Sequence, residues 1–95
     1  MKHSTHIAIS QEEATSTGTG DVKTLTPPGD ASAALISVET TAARMTFDGS
    51  TPAAANGHVF PAAQVPQTVL IGAGSVIKWI STAAANSIVN VTWLR

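Results

Sequence analysis

The chain of 95 residues contains no cysteine. Disulfide bonds, thiolate metal ligands, thiol nucleophiles and thiol redox chemistry are therefore excluded. Charged residues are also scarce, because Asp, Glu, Lys and Arg make up 12% of the chain against a usual share of roughly 25%. Five basic residues against six acidic ones give a net charge of −1. Such a chain offers no basic patch with which to bind nucleic acid through phosphates.

No apolar run is long enough to cross a membrane. The longest, residues 69–77, contains two glycines and a serine and falls far short of the roughly 20 residues that a membrane helix needs. The first six residues are mostly polar, and no apolar segment of the length of a secretory signal follows them. We therefore expect a soluble protein that is made in the cytoplasm and does not bind membranes.

Large hydrophobic residues are few for a chain of this length. The hydrophobic share of 43% includes sixteen alanines, which leaves twenty-five Val, Ile, Leu, Met, Phe and Trp residues to build a core. A single domain of this size buries only roughly 60–65% of the surface of its unfolded chain. The composition predicts one small domain with a thin core that packs against other protein chains.

Seven short runs rich in β-branched residues recur between turn signals, which predicts an all-β domain. Pro and Gly separate many of the runs, and Asn56-Gly57 is a candidate type I′ turn. Seven strands in about 75 residues is the spacing of an antiparallel β-sandwich, jelly-roll-like in type, or of a partly closed barrel. The runs cover residues 22–26, 34–39, 43–47, 58–60, 68–71, 76–80 and 88–94.

Alternation along the runs predicts which side chains face inward. The run at residues 76–80 has apolar residues on both faces, so its inner face is not defined. Ile80, Ile88 and Leu94 either expose apolar surface for a subunit contact or belong to a second packed layer. The predicted inner layer consists of Met45, Phe47, Val89, Val91 and Trp93.

Residues 1–20 differ from the rest of the chain, being rich in Ser, Thr, Gln, Glu, Gly and His. We predict that they form a flexible, extended N-terminal arm, separate from a sandwich body over residues 21–95. Ile7 and Ile9 lie at strand spacing and would add as a strand to the sheet edge of a neighbouring subunit. A merely disordered terminus is the alternative. In both cases we expect the body to fold without residues 1–20.

No residue pattern indicates catalysis. Asp30 and Asp48 lie in Pro/Gly turns, where an aspartate usually bonds to its own backbone, and no serine lies in a nucleophile elbow. His3 and His6 are too few ligands for a selective metal site, unless three copies meet on a symmetry axis. We therefore predict no catalytic, cofactor-binding or metal-binding residue and no enzymatic activity.

The two tryptophans are the residues best suited to contact a sugar ring, if their faces are exposed. The neighbours of Trp93 favour a core position, whereas Trp79 fits a core position and an exposed one about equally. In the exposed case, Trp79 would contact a glycan together with the loops at residues 48–56 and 83–86.

A particular order of strands and turns occupies residues 34–94. The strand at residues 43–47 is followed by Asp48-Gly49-Ser50-Thr51-Pro52, then by Val59-Phe60-Pro61, and the chain ends in the strand Val89-Asn90-Val91-Thr92-Trp93. This order resembles small virion proteins of tailed bacteriophages, in particular head decoration or cement proteins with a β-sandwich fold.

The resemblance implies a non-enzymatic virion structural protein that is made in the host cytoplasm. Such a protein would bind the major capsid protein, or another virion protein, and stabilise the head shell without a cofactor. It would form a homo-oligomer, with a trimer favoured by analogy. The alternative is a tail- or fibre-associated module that binds a host-surface glycan through Trp79. The candidate interaction residues are Ile7, Ile9, Ile80, Ile88 and Leu94.

Overall fold

The structure is a computed structural model that describes residues 7–72 and 75–95. These residues form eight β-strands and no helix, arranged as two four-stranded antiparallel sheets. Sheet A has the order β1-β8-β3-β6, sheet B has the order β2-β7-β4-β5, and the sheets do not close into a barrel. The predicted antiparallel sandwich is confirmed. The strands are β1 (Ala8–Ser16), β2 (Lys23–Leu25), β3 (Ala33–Glu39), β4 (Ala43–Thr46), β5 (His58–Phe60), β6 (Gln67–Leu70), β7 (Ile77–Ser81) and β8 (Ser87–Leu94).

The strand order is that of a jelly roll. β1 pairs with β8, β2 with β7, β3 with β6 and β4 with β5. The chain therefore forms one long antiparallel hairpin. Its first and last strands pair with each other, and the chain turns back between β4 and β5. The further pairs β3·β8 and β4·β7 join segments of this hairpin into the two sheets. Double-sheet winding of this kind defines the jelly roll among antiparallel folds.

All seven predicted runs form strands, β2 to β8, and their bounds differ from the prediction by at most one residue. The strands form there because β-branched and aromatic residues fit a pleated, half-buried surface and the intervening turns contain residues that end strands. The alternation in β8 is complete, with every second residue buried from Ser87 to Trp93. Local sequence pattern is therefore sufficient to locate these strands.

The structure differs from the predicted arm at its N-terminal end. Residues 8–16 form β1, which runs antiparallel to β8 from Ala8↔Leu94 to Ser16↔Ser87, with a register shift at Ile9. Ile9 and Ala14 pack against the core. The polar residues of this segment are compatible with an edge strand, because the outward face of such a strand is solvated. His3 and His6 lie outside the described residues.

The core lies between the two sheets and is built from apolar residues of both. The predicted inner-layer residues are buried, except that Phe47 is only half-buried because β4 ends at Thr46. Trp79 is enclosed completely, which decides its position in favour of the core. The largest apolar side chains of the core are Leu25, Ile36, Met45, Ile77, Trp79, Val89, Val91 and Trp93.

The two buried tryptophans differ in what their ring N–H groups contact. Trp93 Nε1 donates to Glu12 Oε2 over 2.8 Å, which ties edge strand β1 to the core. Trp79 Nε1 is buried without a hydrogen-bond partner among the described residues. A buried donor without a partner carries an uncompensated desolvation cost, whereas a bond to a carboxylate is among the stronger ones in a protein.

This difference predicts unequal effects of the same substitution. Trp93→Phe removes a bond to a charged group, whereas Trp79→Phe removes an unpaired donor. We expect Trp93→Phe to lower the free energy of unfolding by about 2 kcal/mol more than Trp79→Phe does. Urea unfolding followed by circular dichroism measures both, with Glu12→Gln as a control that keeps an acceptor oxygen. Equal losses in the two Phe variants would contradict the assignment of the Trp93 hydrogen bond.

Buried serines close one end of the sandwich. Ser16 Oγ accepts the backbone N–H of Ser81 over 3.1 Å and donates to the carbonyl of Asp21 over 2.7 Å. Ser87 Oγ donates to the carbonyl of Thr41 over 2.6 Å. These hydroxyls satisfy backbone groups that are out of reach of the sheet ladders. Through Ser16, β1 is joined to both sheets.

The turn before β5 differs from the prediction. A type I′ turn at Asn56-Gly57 requires positive φ at both residues, but of these two only Gly57 has it, at 123°. The tight turn lies earlier, where Ala53 and Asn56 exchange two backbone hydrogen bonds of 3.0 and 2.9 Å. The Ala-rich loop thus folds back on itself before the chain enters β5.

Candidate functional site

Ile80 is not a surface residue. It is 3% exposed and lies with Pro52, Ala53 and Ala54 along one cavity on the outer side of sheet B, where the β4–β5 loop covers it. The prediction of Ile80 as an interaction residue was therefore wrong. Alternation along β7 correctly placed it on the face opposite Trp79. Alternation within one strand does not indicate whether a loop from elsewhere in the chain covers its outward face.

The predicted glycan contact set is not brought together. Trp79 is enclosed between the sheets, so its ring has no exposed face on which a sugar could stack. The loop that begins at Asp48 lies at the end of the sandwich where the Gly49 N–H donates to the Val76 carbonyl over 3.1 Å. Residues 83–86 lie at the opposite end, next to Gly18, although Pro52, Ala53 and Ala54 of the loop that begins at Asp48 line a cavity with Thr82. Trp79 therefore lies outside any surface that these loops form.

The segment that contains Ile7 and Ile9 pairs with the C-terminal segment of the same chain. The prediction had it pair with the sheet edge of a neighbouring subunit. Ile7 and Arg95 exchange backbone hydrogen bonds of 3.0 and 2.8 Å, and Ile9 lies in β1 with its side chain against the core. The side chain of Ile7 is exposed. Of this pair, only Ile7 remains accessible to another molecule.

Ile88 and Leu94 lie on the outward face of sheet A, half-buried among their neighbours. The β3·β8 and β3·β6 registers place the outward residues of three strands side by side. We call the outward face of β8, β3 and β6, together with the β6 edge, the neutral surface, because Glu39 is the only charged residue at its outward strand positions. Two carboxylates border it: Glu39 accepts a hydrogen bond from Asn90 Nδ2 over 3.1 Å, and Glu13 of β1 lies opposite Asn90. The face residues of the neutral surface are Ile88, Asn90, Thr92, Leu94, Ala33, Leu35, Ser37, Thr68 and Leu70.

The edge of the neutral surface is strand β6. It pairs with β3 on one side, and no strand of the described residues pairs with it on the other. Val65 and Leu70, just before this strand and at its end, are 78% and 77% exposed. Edge strands of soluble proteins usually carry charges that prevent pairing with another chain. β6 carries none.

The opposite side of the sandwich has such charges. Edge strand β1 carries Glu12 and edge strand β2 carries Lys23, both at inward-facing register positions, opposite Val91 and Trp79. Lys23 Nζ also lies 3.4 Å from a carboxylate oxygen of Asp21. Inward-pointing charges on edge strands are a recognised protection against edge-to-edge pairing. The two sides of the sandwich thus differ in how they present their edges to other molecules.

The distribution of charge along the chain contains a sequence signal for the neutral surface, which the motifs alone do not reveal. Residues 49–77 contain no Asp, Glu, Lys or Arg, and this run includes both β5 and β6. These two strands are the edges of sheets B and A. Charge patterning along the chain therefore indicated an uncharged side of the domain, although only the strand order shows that β5 and β6 are edges.

A separate, open cavity of about 350 Å³ with both polar and aromatic lining lies at the β4–β5 loop. Within it, Asp48 Oδ1 accepts the Ser50 hydroxyl over 2.6 Å and the Ser50 backbone N–H over 3.0 Å. These two donors hold the pKa of Asp48 below its ordinary value of 3.8. The cavity is lined by Thr46, Phe47, Asp48, Ser50, Asn56, Gly57 and His58.

Residues 7–72 and 75–95 contain no group of three or more His, Cys, Asp or Glu side chains that could hold a metal ion. Within the same ranges, no helix could span a lipid bilayer. Comparison of the chain with protein-family models, with curated proteins and with solved structures found no match.

Proposed function

We propose that this chain is a non-enzymatic structural protein of a tailed-bacteriophage virion, made in the host cytoplasm. It decorates the head shell and stabilises it by binding the major capsid protein or another virion protein. The observation that carries the proposal is the neutral surface, with its unprotected β6 edge. The resemblance between residues 34–94 and small virion proteins supports the choice of partner.

A decoration protein must bind a preformed shell at many equivalent positions. A surface with few charges does so with little desolvation cost, since charged groups without partners are expensive to bury. An open strand edge adds backbone hydrogen bonds to a neighbouring sheet, and exposed side chains beside it fill pockets on the partner. Leu70 and Val65 are placed for this role at the β6 edge.

The proposal includes a homo-oligomer, with a trimer as its symmetry on the analogy given above. Contacts between unlike patches close into rings when the rotation permits, and a ring of three would present three neutral surfaces around one axis of the shell. The small core is consistent with this, because domains of this size often gain stability from association.

A charge placed on the β6 edge tests the proposal. We expect Thr68→Lys to reduce attachment to the shell at least tenfold, equivalent to about 1.4 kcal/mol, because the Lys side chain would be buried unpaired. Thr24→Lys is the control, since Thr24 is also an exposed, outward residue of an edge strand, β2. Circular dichroism checks that this variant folds, because the new lysine lies opposite Lys78. The copy number of each variant in purified virions, measured by quantitative mass spectrometry, gives the result.

Wild-type copy number for Thr68→Lys would overturn the role of the β6 edge. An equal loss of copy number for Thr24→Lys would show that an added charge weakens attachment wherever it is placed, and would contradict a specific role of the neutral surface. Light scattering after size-exclusion chromatography of the isolated protein tests the oligomer, and a monomer at all concentrations would contradict that part of the proposal.

The alternative function, a tail- or fibre-associated module that binds a host-surface glycan, draws no support from Trp79. Its ring is enclosed in the core and does not reach the surface. A sugar contact, if the chain makes one, has to use other residues.

A further inference from the structure

The cavity at the β4–β5 loop is an open depression lined by polar and aromatic side chains that hydrogen-bond or pack with their neighbours. Asp48 and Ser50 are held together by two hydrogen bonds, and the Thr46 hydroxyl donates to the Ser50 carbonyl over 2.6 Å. Asn56 Nδ2 donates to Ser50 Oγ over 3.1 Å and to the Thr51 carbonyl over 2.9 Å. These hydrogen bonds link the four side chains to one another and to nearby backbone groups around the cavity.

These bonds leave mainly acceptors for a ligand. Both bonds to the Asp48 carboxylate end on Oδ1, and within the described residues no group donates to Oδ2. The amide nitrogen of Asn56 is engaged twice, and no donor in the described part of the chain bonds to its Oδ1. Both side chains are accessible to solvent, so water can bond to these oxygens. A ligand that replaces this water has to supply hydrogen-bond donors of its own.

One wall of the cavity is aromatic. The ring centroids of Phe47 and His58 lie 6.2 Å apart with 42° between the ring planes, and the Phe47 ring also lies 6.2 Å from Phe60. Phe47 is half-buried and His58 is exposed. The wall therefore offers aromatic carbon surface next to the acceptor oxygens. It suits a ligand that has both hydroxyl groups and an apolar face.

The charge of the site narrows the ligand class further. Asp48 repels an anion such as phosphate. Ca²⁺ takes roughly six to eight oxygen ligands, usually several of them carboxylates, and Asp48 is the only carboxylate among the residues that line the cavity. The volume of about 350 Å³ is at the lower end of the usual range for small-molecule sites. It provides room for one sugar ring.

We propose that this cavity binds a single neutral pyranose residue, independently of the neutral surface on sheet A. Sugar hydroxyls donate to Asp48 Oδ2 and Asn56 Oδ1, while the apolar face of the ring packs against Phe47 and His58. This goes beyond the decoration role, since the cavity is lined by residues of β4, β5 and the loop between them and by none of β6.

Titration of the ¹⁵N-labelled full chain with neutral methyl glycosides tests the proposal. The probes are the α-methyl glycosides of glucose, galactose and mannose, and N-acetylglucosamine. We expect at least one probe to cause saturable amide shifts at residues 46–50 and 56–58, with a Kd in the millimolar range. Asp48→Asn keeps an oxygen for the turn but loses the charge, so we expect about tenfold weaker binding.

Asp21→Asn is the matched control. Asp21 is another turn aspartate, which accepts the backbone N–H and hydroxyl of Thr17 over 2.9 and 3.1 Å, and it lies outside the cavity. Its substitution is expected to leave sugar binding unchanged. Thr68→Lys is expected to bind the sugar normally, which separates this proposal from the decoration role.

Three results would overturn the proposal. The first is the absence of saturable shifts with every probe. The second is binding of calcium chloride or ethanolamine at these residues in place of the sugars. The third is an equal loss of binding in the Asp21→Asn and Asp48→Asn variants, each checked for folding by circular dichroism.

Discussion

Deletion of residues 1–20 is expected to abolish the cooperative folding of the remaining chain. β1 covers β8 along a ladder from Ala8↔Leu94 to Ser16↔Ser87. Without it, β8 becomes an edge strand and the inward side of Val91 and Trp93 is opened to water. A domain of this size is stable by only roughly 5–15 kcal/mol, so the loss of a whole strand exceeds what it can tolerate.

Two side-chain contacts add to the cost of this deletion. Removal of Ser16 leaves the buried N–H of Ser81 without its acceptor, which costs about 1–3 kcal/mol. Removal of Glu12 replaces the bond between the Trp93 indole N–H and a carboxylate by a weaker one to water, which the loss of β1 admits. These penalties arise in the part of the chain that the deletion leaves intact, so the truncated protein cannot avoid them by local rearrangement of its new terminus.

Circular dichroism and the dispersion of an NMR spectrum of residues 21–95 measure the outcome. A synthetic peptide of residues 7–20, added in trans, is expected to restore the β-sheet spectrum by occupying the place of β1. A fragment 21–95 that unfolds cooperatively at the same urea concentration as the full chain would show that β1 is dispensable, as the polar composition of residues 1–20 predicts.

Gly57→Ala is expected to lower the free energy of unfolding by about 3 kcal/mol or more. Gly57 has φ of 123°, where side chains other than glycine are strained. A Cβ built there would lie 2.9 Å from the Met45 carbonyl oxygen and 2.9 Å from Arg44 Cγ. The carbonyl belongs to the central part of sheet B and has no freedom to move away, so strain and overlap act together.

Gly20→Ala is the control for this substitution. A Cβ at Gly20 meets nothing within 4 Å, and its φ is not in the positive region. We expect its effect to lie within about 1 kcal/mol, and to be stabilising if anything, because alanine restricts the unfolded chain. Thermal unfolding distinguishes the two, with a drop of roughly 12–24 °C for Gly57→Ala. A melting temperature of Gly57→Ala equal to that of Gly20→Ala would contradict the close approach at Met45.

The seven strands β2 to β8 could be located from the sequence because the signals are local. In β8 the alternation of buried and half-buried residues follows directly from the alternation of side chains along the chain. β1 could not be located in this way. Its inward positions hold Glu12, Ala14 and Ser16, and two of these are polar residues that a sequence pattern assigns to solvent.

Ser16 is buried and Glu12 is half-buried because of partners far away in the chain. Ser16 contacts Ser81, 65 residues further on, and Glu12 contacts Trp93, 81 residues further on. Neither partnership leaves a trace in the local spacing of residues. The same holds for Ile80, which the loop containing Pro52 covers from the other side of sheet B.

The sequence by itself determined the class of fold, the positions of most strands and the charge-free run at residues 49–77, since each follows from residues close together along the chain. Only the tertiary structure decided that β6 is an edge, that β1 belongs to the body, that Trp79 is enclosed and that Asp48, Asn56 and His58 line one cavity. Those facts depend on which distant segments pack together, and packing is settled by the burial and hydrogen bonding of the whole chain.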